Sequence, residues 1–315
     1  MFRAALIGAL LLTACSGSPP PASQSPRTST PTNASPSDPV IAAAGDVACD
    51  PDIAAFNGGN GTRGACRQLA TSDLLTAGGY TAVLPLGDLQ YEIGALKDFR
   101  RSYDLSWGRV RDISYPVPVN HEYSTSQAAG YFAYFGDRAG MRARGYYSYD
   151  LGSWHLIALN SNCGAVGGCG RGSPQERWLR ADLAAHEASC TLAYWHHPRF
   201  SSGLHGDSAV YTAFWQALHD AGADVVLVGH DHDYERFAPQ DALGRADSAR
   251  GIREFVVGTG GRSRYPFRAP RPNSEVRNFG TYGILALTLR PTSYEWRFVP
   301  EAGKAFTDTG STACH

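Results

Sequence analysis

Apolar positions fall along the chain in short runs that stop abruptly at polar residues. VIAAA is followed by Gly45-Asp46, and YTAVLPLGD repeats the arrangement, ending in Gly87-Asp88. TLAYWHHP and ADVVLVGHDH have the same form, with β-branched and aromatic residues leading into histidines. Runs of about four to eight apolar residues bounded by turn residues read as strands buried on both faces. YPVPVNHE reads as a further strand-to-loop junction, and GYYSYDLGSWHLIALNS as a hairpin turning at Asp150-Leu151-Gly152-Ser153. Between these runs the spacing becomes helical in CRQLATSDLLTAG, ALKDFRRSYDLSW, SPQERWLRADLAAHEA and SAVYTAFWQALHDAG. The third of these has a defined start: Ser173 as N-cap, Pro174 at the first helical position and Glu176 closing a capping box. REFVVGTGG and YGILALTLRPTSYEWRFV are β-rich. The order predicts an α/β sandwich with a mixed central sheet, and no repeat interrupts it.

Composition narrows the class. Of 315 residues, 43% are hydrophobic and 18% charged, which suits one domain with a substantial core. A formal net charge of −1 excludes a strong basic footprint, so no specific nucleic-acid binding is expected. Residues 1–14 read as an export signal: one arginine, Arg3, then an apolar run too short to span a membrane. Leu12-Thr13-Ala14-Cys15 resembles a bacterial lipobox, which marks Cys15 as the residue to be acylated. Residues 15–39, rich in Ser, Pro and Thr, cannot bury enough surface to fold and are expected to form a tether. Residues 40–315 then form the catalytic domain. The expected location is the outer face of the bacterial cell membrane, held by the lipid alone, or the medium.

Seven cysteines are present, and setting Cys15 aside leaves six. An even number in an exported chain implies disulfides, and no CxxC pair suggests zinc. Sequence proximity favours Cys49–Cys66 and Cys163–Cys169, which leaves Cys190–Cys314 to pin the C-terminal tail, although other pairings stay open.

The polar clusters all close predicted strands: Asp46; Asp88 to Tyr91; Asn120 to Glu122; His196 to Pro198; His230 to His232. Singly, each has a bland reading as a turn or cap. Together they bring carboxylates, an amide oxygen and imidazoles to the edge where open α/β sheets bind ligands. That donor set suits two first-row metals, and two metals can clamp the attacking and leaving oxygens of an in-line displacement at phosphorus.

In order and spacing these blocks resemble the calcineurin-like metallophosphoesterases, over roughly Ala44 to Arg236. The resemblance implies a four-layer α/β/β/α sandwich. The first block, Asp46-Val47-Ala48, lacks the family's histidine, while GDLQY adds Tyr91; both features resemble the purple acid phosphatase branch, as does GHDHDYER. Carried over, the resemblance gives Asp46, Asp88, Tyr91 and His232 to an Fe(III) ion, and Asp88, Asn120, His196 and His230 to a divalent Fe, Zn or Mn ion, with Asp88 bridging. The proline two residues on favours His196 over His197. Counting the ions against Asp46, Asp88, a tyrosinate and a bridging hydroxide leaves a charge of about +1, suited to a phosphate dianion. Val119 stands where the family has a glycine, so that loop's backbone is expected to depart from the family's.

The implied reaction is hydrolysis of a small phosphate ester by metal-bound hydroxide, most like an acid phosphatase acting on monoesters. His121 resembles the residue that contacts phosphate and protonates the leaving alkoxide, with Glu122 orienting its ring. The resemblance implies His205 and Asn120 as further substrate contacts. His155 is expected to be structural, and His186 and His219 to face solvent. Two alternatives stand: a phosphodiesterase on the same site, and a surface binding protein with a weak site, for which Val119 is the motive.

Overall fold

The computed structural model describes residues 38–315; residues 1–14, Cys15 and nearly all of the predicted tether lie outside the described residues. Twelve strands are described: β1 (Val40–Ala44), β2 (Ala82–Pro85), β3 (Tyr147–Leu151), β4 (Trp154–Ala158), β5 (Cys190–Tyr194), β6 (Val225–Val228), β7 (Tyr234–Phe237), β8 (Arg253–Val257), β9 (Ser274–Asn278), β10 (Gly283–Arg290), β11 (Ser293–Pro300) and β12 (Thr309–Ala313). The α-helices are α1 (Gln68–Ala77), α2 (Leu96–Asp98), α3 (Ala129–Phe135), α4 (Pro174–Ala185) and α5 (Thr212–Asp220).

The strands form two mixed sheets where the polar pattern alone suggested one. The smaller runs β12-β11-β10-β1-β2 and the larger β3-β4-β5-β6-β8-β7-β9. In the larger sheet β4, β5, β6 and β8 are parallel. These strands alternate strictly between two apolar clusters. Leu192, Tyr194, Val225 and Leu227 join one cluster with residues of the smaller sheet; Ala193, Trp195, Val226 and Val228 join the other, with Leu179 of α4 and Phe214 and Trp215 of α5. A strand buried on both faces has no polar positions to spare, which is why these runs look continuous in the sequence. With α1 against β10 on the far side, the layers are α/β/β/α.

Several local expectations need correction. YPVPVNHE forms no strand: its segment is extended beside β2, with Tyr115 and Val117 donating to Val83 and Pro85, but Pro116 and Pro118 have no N–H to give a ladder. ALKDFRRSYDLSW is not one helix. It divides into α2, a π turn over Phe99–Tyr103 and a 3₁₀ stretch from Trp107, where the Ser106 hydroxyl bonds back to the carbonyls of Ser102 and Tyr103. At α4 the Ser173 hydroxyl accepts from the Glu176 N–H, but the Glu176 carboxylate returns to the N–H of Gly172, not of Ser173. His219 does not face solvent freely; it bonds Asp247 at 3.1 Å. The disulfides are Cys49–Cys66, Cys163–Cys169 and Cys190–Cys314, with Cα separations of 5.4, 5.2 and 5.6 Å. They suit an oxidising compartment. No helix among the described residues is long and apolar enough to cross a membrane.

Candidate metal centre

β1 and β2 of the smaller sheet and β5 and β6 of the larger end at one place, so the site draws on both sheets. Beyond the strand ends the backbone bends sharply: Asp46, Asp88 and His230 all have left-handed φ, at 61°, 49° and 71°. Residues with side chains adopt this region rarely, and three in one cluster mark a place where the fold stores strain to aim side chains. Gly87 shows how close the approach is. A Cβ there would lie 2.6 Å from Cγ2 of Val119 and 2.9 Å from Cβ of His196.

The aimed side chains converge. Tyr91 Oη lies 2.9 Å from Asp46 Oδ1, 3.1 Å from Asp88 Oδ2 and 3.1 Å from His232 Nε2. His232 Nε2 is also 3.1 Å from Asp46 Oδ1. On the other side of Asp88, His196 Nε2 lies 3.2 Å from Oδ2 and 3.2 Å from His230 Nδ1. Asn120 reaches Asp88 through Nδ2 at 3.5 Å, while its Oδ1 is buried without a partner.

This arrangement fits metal ions. One phenolic hydrogen cannot serve two carboxylates and an imidazole at once. An orphaned amide oxygen beside a carboxylate costs free energy unless something else meets it. The outer atoms of the histidines are engaged in the manner of metal ligands: His196 Nδ1 meets the Leu86 carbonyl at 2.8 Å and His232 Nδ1 meets Ser263 Oγ at 2.7 Å, leaving each Nε2 to face inward. Among the protein's own groups, burial and the charges of Asp46 and Asp88 push the Tyr91 phenol far above its usual range. Burial opposes the Asp88 carboxylate too, but His196 outweighs it and holds Asp88 well below its usual value. The same pairing raises His196 to about 9 against the effect of burial. Burial, with the neighbouring imidazoles, keeps His230 neutral.

The remaining sequence-predicted residues surround this cluster. His121 gives its Nδ1 to the Glu92 carbonyl and turns Nε2 toward Asp88 Oδ2, 3.8 Å away. Glu122 does not hold that ring. Its buried carboxylate accepts from the backbone N–H groups of Asp88, Leu89, Gln90 and Val119, clamping two site loops together. Burial and the charge of Asp88 raise its pKa. Val119 is not among the residues with positive φ, and its Cγ2 lies where a Cβ on Gly87 would meet it, 2.6 Å away. His205 stands with its ring 4.1 Å from that of His230. His197, set aside in favour of His196, has its ring 4.4 Å from His230, is held at Nδ1 by Ser161 and is kept neutral, at about 3, by burial and by His196.

Sequence reasoning missed the segment after β8. It supplies Ser263 and also Tyr265, whose ring stacks on His232 at 4.1 Å. Arg262 lies over the Tyr91 ring, 4.9 Å from its centroid. The available signal was VVGTGGRSRY, one more apolar run that breaks at glycines.

Residues 41–234 match the family model described as calcineurin-like phosphoesterase. Purple acid phosphatase 15 of Arabidopsis thaliana is 32% identical over 149 residues, covering 41% of this chain and 27% of that protein. Acid phosphatase type 7 of Homo sapiens is 28% identical over 238 residues, covering 64% of this chain and 53% of that protein. The chain thus spans between about a quarter and about half of these relatives' length. Among solved structures, the purple acid phosphatase PPD1 from yellow lupin (Lupinus luteus) superposes with a TM-score of 0.69 at 16% identity, covering 88% of this chain and 54% of that one. On the matched residues and the two-sheet fold, the chain belongs to the calcineurin-like phosphoesterase family, on its purple acid phosphatase-like branch of metallophosphoesterases.

Proposed function

We propose that this protein is a binuclear phosphomonoesterase. The observation that carries the reading is the convergence of Tyr91 Oη on Asp46, Asp88 and His232 beside the unpartnered Oδ1 of Asn120. Asp46, Asp88, Tyr91 and His232 would hold a ferric ion, and Asp88, Asn120, His196 and His230 a divalent one. When bound, such a pair activates water as the nucleophile and offsets charge building on phosphate oxygens. The protein groups supply the rest. Asp88 lies between the two halves and fixes their separation. His121, tethered by its Nδ1–H to the Glu92 carbonyl, turns Nε2 toward the cluster; with the ring doubly protonated, its Nε2–H can donate to a phosphate oxygen or to the departing alkoxide. Glu122 keeps the Asp88 and Val119 loops in register, and so places Asn120 and His121 by position.

The test is a panel of phosphomonoesters and phosphodiesters assayed with the full-length, metal-loaded protein. Faster turnover of monoesters supports the reading, and preference for diesters overturns it.

Export and attachment through an acylated Cys15 form part of the same proposal, supported by the three disulfides. Intact-mass spectrometry of the membrane fraction is expected to show loss of residues 1–14 and an added lipid. A mature chain beginning elsewhere without lipid contradicts it.

A further inference from the structure

The loop from Arg199 to Asp207 rests on three fully buried carboxylates, Glu254, Glu235 and Asp231. Glu254 accepts from the N–H groups of Arg199 and Phe200, each at 3.1 Å. Glu235 accepts from the N–H and hydroxyl of Ser202 at 2.7 and 2.6 Å. Asp231 accepts the most: the Ser201 hydroxyl at 2.5 Å, the His205 N–H at 2.8 Å, His205 Nδ1 at 2.8 Å and the Gly206 N–H at 3.3 Å. Burying a carboxylate is costly unless its oxygens are met, and three beneath one short loop is a large investment in that loop's position.

Asp231 differs from the other two in what it touches. It alone bonds a side chain that reaches the metal cluster, since the His205 ring lies 4.1 Å from that of His230 and 5.8 Å from that of Tyr265. It also lies in the chain between His230 and His232, the two candidate ligands that follow β6. The backbone that aims the ligands therefore aims Asp231 as well.

We propose that Asp231 is a positioning residue that ties His205 to the backbone carrying His230 and His232, so that His205 is held in register with the bound phosphate. With Nδ1–H given to Asp231, Nε2 is the nitrogen left to face the site, and in the doubly protonated ring its N–H can donate to a phosphate oxygen. The proposal rests on the phosphoesterase reading and names a residue that acts through another. Glu235 and Glu254 hold the base of the same loop, while Asp231 sets its tip.

A double-mutant cycle tests it, using the full-length, metal-loaded protein, a chromogenic phosphomonoester and inorganic phosphate as inhibitor. His205→Ala is expected to raise KM and the inhibition constant for phosphate by about tenfold to a hundredfold, the range for a lost hydrogen bond to a charged group. Asp231→Asn is expected to do much the same, and the double variant to be no worse than about twofold beyond His205→Ala alone, because coupled residues are not additive. Gly203→Ala gives a second route that leaves Asp231 intact. A Cβ at Gly203 would lie 2.6 Å from Asp231 Oδ2 and closer still to Cγ, so the loop must lift. This variant is expected to weaken phosphate binding, and to add little to His205→Ala. If the effects of Asp231→Asn or Gly203→Ala multiply with that of His205→Ala, or if both variants bind phosphate like the wild type while His205→Ala does not, the proposal is overturned. A wild type that neither turns over any phosphate ester nor binds phosphate overturns the phosphoesterase reading itself, and this proposal with it.

Discussion

Two groups of histidine and aspartate lie one beyond the carboxyl ends of β5 and β6 and the other at the β3–β4 hairpin, and they differ in what their polar atoms are owed. At the strand ends, Asp46, Asp88, Tyr91, Asn120, His196, His230 and His232 converge with more acceptors than hydrogens, and one amide oxygen has no partner. At the β3–β4 edge, Asp150, His155 and His186 also come within reach of one another. There, however, no buried side-chain polar atom is left without a partner. His155 is buried and gives Nδ1–H to Asp150 at 2.8 Å and Nε2–H to Asp182 at 2.9 Å. His186 is exposed, as expected, while its ring stacks on His155 at 4.2 Å and Nδ1 bonds the Asp182 carbonyl. The hairpin cluster is an ion-paired clasp between β4 and α4. Residue type and proximity are shared by both groups; unmet valence separates a metal centre from a clasp.

The largest effect should come from Asp88, whose Oδ2 lies near both Tyr91 Oη and His196 Nε2. Asp88→Asn is expected to lower kcat by at least about 10³-fold and to lose metal, whereas His155→Gln leaves metal content at the wild-type level. Equal metal content in Asp88→Asn and wild type would erase the distinction between the two clusters. Next, His121→Ala is expected to lower kcat by about 10²–10⁴-fold with metal retained, and by less for esters whose leaving group needs no proton. Equal losses for good and poor leaving groups would remove its acid role.

Tyr91→Phe keeps the ring and removes the donor oxygen. A phenolate on ferric iron absorbs visible light, so the oxidised wild type is expected to be coloured and this variant colourless with a normal fold by circular dichroism. A colourless wild type with full iron occupancy contradicts tyrosinate ligation.

The smallest effect belongs to the clasp. Burial works against a charged His155, but its hydrogen bonds to Asp182 and Asp150 prevail and raise its pKa above 6.5. A raised pKa means the contribution is fully present below about 6.5 and fades as pH rises through the folded value. Urea unfolding of His155→Gln against wild type should therefore show a loss of about 1–3 kcal/mol near pH 5.5 that shrinks by pH 9. A difference that grows with pH would show that His155 is neutral in the fold.

The sequence made the strand ends legible because a doubly buried strand has to be apolar throughout, so the first polar residues after it stand out. That is how Asp46, Asp88, His196 and His230 could be placed together. It did not reveal that two sheets contribute, since a continuous apolar run looks the same in either. Nor did it show what Glu122 and Asp231 hold. Glu122 bonds backbone N–H groups, three of them some thirty residues away, and Asp231 bonds two backbone N–H groups and two side chains twenty-five or more residues away; backbone donors leave no mark in a sequence. The room for Val119 was illegible for a related reason: the space its side chain takes is provided by Gly87, thirty-odd positions earlier and on another loop.

Native mass spectrometry of the full-length protein, with elemental analysis, tests the binuclear centre most directly. The account predicts two metal ions per chain in the wild type, iron among them, with phosphomonoester turnover rising and falling with occupancy as metal is removed and restored. A protein that turns over monoesters with one ion or none, or that binds two ions equally well after Asp88→Asn, would contradict it.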